Sequence, residues 1–145
     1  MKYLVLVSHG DFAEGLKTSL AMFAGDKMDQ VLAIGLKNGE SADQFGERFK
    51  ELVNSLQAED EIVLLADIVG GSPLTTALNV LGEAGRLDNM TVVGGMNLPM
   101  ALTAVVMKDA LEGDALTQTL LNEGASGLQK FDTSSSDGDD DEDDI

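Results

Sequence analysis

Lys2-Tyr3-Leu4-Val5-Leu6-Val7-Ser8-His9-Gly10-Asp11 decides how the rest of the chain is read. Apolar residues run from Tyr3 to Val7 without alternation. That pattern marks a strand covered on both faces, as in a parallel sheet. Phe12, Leu16, Leu20 and Phe23 then recur at helical spacing. The stretch reads as strand, tight glycine turn and helix. His9, the one histidine of the chain, stands at the junction. Side chains at such a junction lie over the carboxyl end of a sheet, where α/β proteins keep their ligands.

Working outward, the same grammar repeats. Asp11 is expected to cap the first helix, with Glu14 completing a capping-box-like pair and Gly25 as its stop. Gln30 to Gly35 is a second short strand. Ser41 and Gln44 make another capping pair, ahead of a helix that lines Phe45, Phe49, Leu52, Val53 and Leu56 on one face. Glu61 to Ala66 is a third strand, ending in Asp67. Gly70-Gly71-Ser72-Pro73 follows, with Ser72 expected at the N-cap and Pro73 at the first helical position. That helix frays near Gly82 and Gly85. Met90 to Gly94 is a fourth strand, and Asn97 caps a helix that tolerates Pro99 in its first turn. A fifth helix runs from Asp114 to Gly124, and Gly127 to Phe131 reads as a last short strand.

The alternation of strands and helices predicts a doubly wound α/β fold. The expected sheet is mostly parallel and four-stranded, in the common order 2-1-3-4, with helices on both faces. One domain spans residues 1–131. Residues 132–145 are rich in Ser, Asp and Gly, cannot build a core, and are expected to be a disordered acidic tail.

Composition narrows the function. There is no Trp and there are only five Phe, so the core must be aliphatic. The absence of Cys excludes a disulfide, a thiol nucleophile and a thiolate metal site. One histidine and no ligand cluster argue against any metal centre, and no motif calls for a cofactor. No apolar run reaches membrane-spanning length, and Tyr3 to Val7 is too short for a signal peptide. A cytoplasmic protein without direct membrane insertion is expected. The net charge is −17, and the eight acidic residues of 132–145 leave the body near −9. Such a body repels nucleic acid and favours basic protein partners.

Three polar turns, at His9, at Asp67 to Ser72 and at Asn97, should open on one edge of the sheet. In the order 2-1-3-4 the first and third strands are neighbours, roughly 4.8 Å apart. His9 and Asp67 would then be within reach. A carboxylate on one ring nitrogen fixes the tautomer and leaves the other nitrogen as a nucleophile. Gly70-Gly71-Ser72 at a helix start offers N–H groups, a hydroxyl and the positive dipole end to a phosphoryl group. No Lys or Arg lies in 68–76 or 94–103, and neither a GxxxxGK loop nor a GxGxxG motif is present. A nucleoside triphosphate site would carry cations and magnesium ligands. This one suits a single phosphoryl group handed over by a partner.

The stretches SHGDFAEGLKTSLAMFAG from Ser8, DIVGGSPLTTALN from Asp67 and GGMNLPMAL from Gly94 resemble the IIA domain of the mannose family of the bacterial phosphoenolpyruvate-dependent sugar phosphotransferase system. The resemblance covers about Met1 to Phe131. It implies that His9 is phosphorylated by the phosphocarrier HPr and donates to a IIB component. It further implies that Asp67 orients the ring and that Gly71 and Ser72 lie in the phosphate-holding turn. Members are commonly homodimers that exchange a C-terminal strand, here Gly127 to Phe131. Some members continue through a linker into a fused IIB domain, whereas this chain ends in the acidic tail.

Three other readings compete. The related phosphotransferase subunit of the bacterial dihydroxyacetone kinase shares the phosphohistidine, but its loop after the Asp is usually shorter. A receiver-like signalling module would be phosphorylated on Asp67, but Ser8-His9 stands where that fold wants an acidic pair. A non-catalytic regulatory module would use the same pocket and tolerate loss of His9. Deleting 132–145 is expected to leave both the fold and phosphoryl transfer largely intact. Circular dichroism and a transfer assay on the truncated chain check this.

Overall fold

The computed structural model describes residues 1–134. β1 (Lys2–His9), β2 (Val31–Leu36), β3 (Glu61–Ala66) and β4 (Thr91–Val93) form one sheet in the order β2-β1-β3-β4, with every pair parallel. The helices are α1 (Phe12–Ala24), α2 (Ala42–Asn54), α3 (Ser72–Glu83), α4 (Leu98–Met107) and α5 (Gly113–Ser126). The expected doubly wound sheet and its strand order are therefore observed.

The pleat divides the core. Leu4 and Leu6 of β1 face one side with Val63 and Leu65 of β3, under α1, α4 and α5. Val5 and Val7 face the other side with Ile62 and Leu64, under Phe45, Phe49 and Val53 of α2 and Leu74, Ala77 and Leu81 of α3. Both faces of β1 are buried, which is why its apolar run does not alternate. Continuous burial of this kind forces the polar residues of the strands to their ends, so chemistry collects along an edge.

The helix starts divide into those the sequence marked correctly and those it did not. Ser41 and Gln44 form the expected capping box: Ser41 Oγ accepts from Gln44 N at 3.1 Å, and Gln44 Oε1 accepts from Ser41 N at 2.9 Å. Asn97 caps α4, its Oδ1 accepting from Met100 N at 3.0 Å. Asp11, however, makes no side-chain cap bond, so the expected Asp11–Glu14 pair does not form. The buried Ser8 hydroxyl takes that role instead, accepting from Ala13 N at 2.8 Å. Gly71, not Ser72, is the N-cap of α3, which shifts Ser72 and Pro73 one position into the helix. Gly25 is the C-cap at which α1 stops, as expected, and the chain runs on from it as a 3₁₀ segment, Gly25–Gln30.

The expected last strand, Gly127 to Phe131, is absent from the single chain. No intramolecular edge receives it, and Leu128 and Phe131 are more than three-quarters exposed. The expected acidic tail lies outside the described residues from 135 onward.

At the opposite edge of the sheet, Lys108 is fully buried below α4. Its ammonium group donates to Gln30 Oε1 and to Asp109 Oδ2, satisfying the charge that burial would otherwise penalise.

Asn97 also donates from Nδ2 to Gly124 O at 2.9 Å, tying α4 to α5. Asn97→Ala removes a cap and an interhelix bond together. It is expected to cost about 1–2 kcal/mol, read as a lower denaturant midpoint at unchanged slope.

Candidate active site

β1 ends two residues later than its apolar run, so His9 still belongs to the strand. Ser8 pairs with Gly35 and His9 with Leu36 on β2, while Val7 pairs with Ala66 on β3. Gly10 then turns the chain with φ +55°, a conformation that suits glycine, and its N–H donates to Leu36 O at 2.7 Å. Beneath this turn Ser8 Oγ also donates to Gly10 O at 3.4 Å.

The neighbouring strand delivers the carboxylate. Asp67 follows the last residue of β3, and its Oδ2 lies 2.8 Å from His9 Nδ1. The same oxygen accepts from the His9 backbone N–H at 2.9 Å, and Oδ1 accepts from Ile68 N at 2.9 Å. Burial of the carboxyl group pushes its pKa up. The hydrogen bonds from the His9 backbone, the His9 ring and Ile68 outweigh that effect and hold it below its ordinary value. Asp67 is thus an anion throughout the range in which a histidine titrates. An ionised carboxylate only accepts, so Nδ1 must carry the proton. Nε2 of the neutral ring then presents a lone pair, on a side chain 47% exposed.

Gly71 lies against that ring. A Cβ on Gly71 would stand 2.5 Å from His9 Cε1 and 3.1 Å from Nε2, so only a glycine leaves the ring its place. Gly71 is the N-cap of α3, and no side chain caps this helix. The first donors of α3 therefore start beside Nε2, with the exposed Ser72 at the first helical position. Gly94 is a second close approach: Val69 Cγ2 occupies the space its Cβ would need, and Met96 N donates to Ala66 O at 2.9 Å. These contacts seat the loop after β3 on the turn after β4. Phe12, Ile68 and Val69, all exposed, flank the site as apolar surface.

The structure thus brings His9, Asp67 and Gly71 together, with Ser72 next in the chain. Asn97 stands on the same edge, but its side chain is spent on Met100 and Gly124 and serves the fold. Sequence reasoning missed Ser8, whose hydroxyl holds the turn; a buried serine five residues before its partner N–H carries no local signature. Among the described residues no group of three or more His, Asp or Glu could hold a metal ion. No described helix is long and apolar enough to cross a membrane.

A parallel sheet in this order, with an imidazole and a carboxylate ending its adjacent central strands, defines the class. Residues 3–121 match the family model for the fructose IIA component of the phosphotransferase system. The chain belongs to this family. It is 30% identical over 128 residues to the fructose-specific EIIA component of Bacillus subtilis, covering 88% of this chain and 83% of that one. It is 31% identical over 120 residues to the sorbose-specific EIIA component of Klebsiella pneumoniae, covering 83% and 84%. Among solved structures, the mannose/sorbose-specific IIA subunit from Enterococcus faecalis superimposes with a TM-score of 0.77 at 26% identity, over 93% of this chain and 98% of that one. Members of the family are phosphotransferase components of sugar uptake, and the chain shares that general role.

Gly71 has φ −100°, which alanine adopts freely, so Gly71→Ala tests the ring contact without backbone strain. The variant is expected to keep its thermal midpoint within a few degrees. The ring signals of His9 should shift and its Nδ1 proton should exchange faster. Nitrogen-15 NMR of the one histidine checks this, and unchanged ring signals would sink the contact.

Proposed function

We propose that the chain is a IIA phosphocarrier that accepts a phosphoryl group from phospho-HPr on His9 Nε2 and passes it to a IIB component. The observation that carries this reading is the 2.8 Å contact between His9 Nδ1 and Asp67 Oδ2, which leaves Nε2 as the free nucleophile. In the first step the Nε2 lone pair forms a bond to phosphorus while the bond from phosphorus to the donor histidine nitrogen breaks. The Nδ1 proton stays on the ring, and the Asp67 carboxylate stabilises the positive charge that develops there. The second step reverses these roles, with a IIB side chain as nucleophile. The released ring returns to its neutral, Asp67-bound form.

The transferring phosphoryl oxygens would be met by N–H groups at the start of α3 and by the Ser72 hydroxyl, with Gly71 and Ser72 as the phosphate-holding residues. The uncapped start of α3 supports this. Phosphorylation of Asp67 itself is disfavoured, because both of its oxygens are engaged by N–H donors. The exposed Phe12, Ile68 and Val69 support docking of a protein rather than a small donor.

A cytoplasmic homodimer fits the same reading. β4 is an edge strand of three residues, and 127–131 leaves Leu128 and Phe131 uncovered. A second copy would cover both by strand exchange.

The test uses phosphoenolpyruvate, enzyme I and HPr with phosphorus-31 NMR. A phosphoramidate signal that survives alkali, decays in acid and is lost in His9→Ala is expected. Asp67→Asn should slow transfer by about 100-fold while changing HPr affinity less than twofold. An alkali-labile label would sink the proposal. So would onward transfer to a nucleotide-binding kinase subunit rather than to IIB.

A further inference from the structure

The backbone of His9 and Gly10 is held from two sides. On the β3 side the hold is Asp67. On the β2 side it is the end of an edge strand, with no further strand beyond it among the described residues. His9 pairs with Leu36, Gly10 N donates to Leu36 O at 2.7 Å, and Gly10 O fills the space that a Cβ on Gly35 would take. A free edge frays unless something else occupies its polar groups.

Arg48 of α2 occupies one of them. Its Nη2 donates to Gly35 O at 2.7 Å, one residue from the partner of His9. The same guanidinium grips Glu40 as a fork, Nε to Oε2 at 2.8 Å and Nη2 to Oε1 at 2.7 Å. Glu40 in turn accepts from Lys37 N at 2.9 Å, while its own N–H donates to Lys37 O at 2.9 Å. The turn after β2, with Gly39 at φ +85°, is thereby closed onto α2. Arg48 also lies 5.7 Å from the centre of the buried Phe45 ring, which restricts the guanidinium further. The Arg48 hydrogen bond, reinforced by Lys37 N, holds the Glu40 carboxyl at about 2, so the pair stays ionised at any working pH.

Nothing in the phosphoryl transfer uses Arg48 or Glu40. A planar fork that satisfies a carboxylate and a strand carbonyl together is more than a surface ion pair requires. We propose that Arg48 and Glu40 are positioning residues for the phosphoryl acceptor. They lock the end of β2, and through Leu36 and Gly10 they fix the height and tilt of His9, so that Nδ1 stays on Asp67 and Nε2 faces outward. This inference rests on the reading of His9 as the acceptor. One of its readouts, the ring tautomer, needs no phosphoryl donor.

The experiment compares Arg48→Met, Arg48→Lys and Glu40→Gln in the full chain. Each variant is measured for thermal midpoint, for the nitrogen-15 signature of the neutral His9 ring, and for kcat and KM with phospho-HPr. Arg48→Met is expected to stay folded, to show a mixture of ring tautomers, and to lose about tenfold in kcat with KM within twofold. Arg48→Lys keeps the charge but cannot bind both acceptors as a planar fork, so only partial rescue is expected. If Arg48→Met does not fold, Glu40→Gln, which keeps the shape of the carboxylate, carries the comparison with the same expected signature at smaller amplitude. A lowered midpoint with an unchanged tautomer and unchanged kcat would make the pair merely structural and overturn the inference. A wild-type chain that is not phosphorylated would fail the acceptor reading instead, and the tautomer comparison would still decide the positioning role.

Discussion

The rest of this structure depends on one hydrogen bond, from the His9 ring to the Asp67 carboxylate. Two residues 58 positions apart meet at 2.8 Å because β1 and β3 are hydrogen-bonded neighbours, with Val7 opposite Ala66 just before both residues. That adjacency follows from chain order 2-1-3-4, in which the second strand is laid outside the first and the third returns to its other side. The apolar residues that stabilise the sheet therefore also set the imidazole's tautomer. Val7 and Ala66, fully buried partners in the ladder, are the last core residues before the chemistry begins. A shift of register by one residue would turn every core side chain to the wrong face. Packing thus protects the geometry of the site at no separate cost in stability.

The second constraint is close approach. Gly10, Gly35, Gly71 and Gly94 sit where a loop or a ring occupies the volume that a side chain would need, or where the turn requires positive φ. Together they compress the loops onto one edge and leave the Nε2 side of the ring against the Gly71 backbone. Backbone N–H groups are fixed by the helix they belong to, so they meet a developing charge with little reorganisation. Long cationic side chains would first have to be ordered.

Most of the fold was legible because burial writes directly into sequence. The short unbroken runs at Tyr3 to Val7 and Ile62 to Leu65, bounded by polar turns, read as doubly covered strands, and the helical faces of α2 and α3 follow from their spacing. Ser41 and Asn97 announced their helices correctly because a cap acts on residues two or three positions away. Asp11 misled for an equally physical reason. The helix start it precedes was already satisfied from below by Ser8, which the chain brings there by turning at Gly10. The sequence could likewise suggest His9 beside Asp67, since both end strands, but only under an assumed strand order. The Arg48–Glu40 fork had no such signature, because its meaning lies in a carbonyl on another element. The segment 127–131 is not a strand in the single chain for the opposite reason: a strand needs a partner edge as well as a suitable composition, and the described residues of one chain offer it none.

A carrier has a requirement that an ordinary binding site lacks. It must take a group from one histidine and release it to another protein with little change in free energy, since a deep well at the intermediate would stop the relay. In the proposed reaction this is where the charge pattern matters. Residues 68–76 and 94–103 bring no cation to the edge, and the body around it is acidic. A lysine or arginine on the phosphoryl oxygens would hold the phosphorylated state through charge-assisted bonds about twice as strong as neutral ones. Neutral N–H donors and the end of a helix dipole stabilise the same oxygens more weakly. In that reaction the Asp67 carboxylate would meet the ring charge at Nδ1, which is present only while the phosphoryl group sits on Nε2. On the proposed reading such a site favours passage over retention, and the Arg48–Glu40 ion pair beside the end of β2 is spent on backbone and on itself.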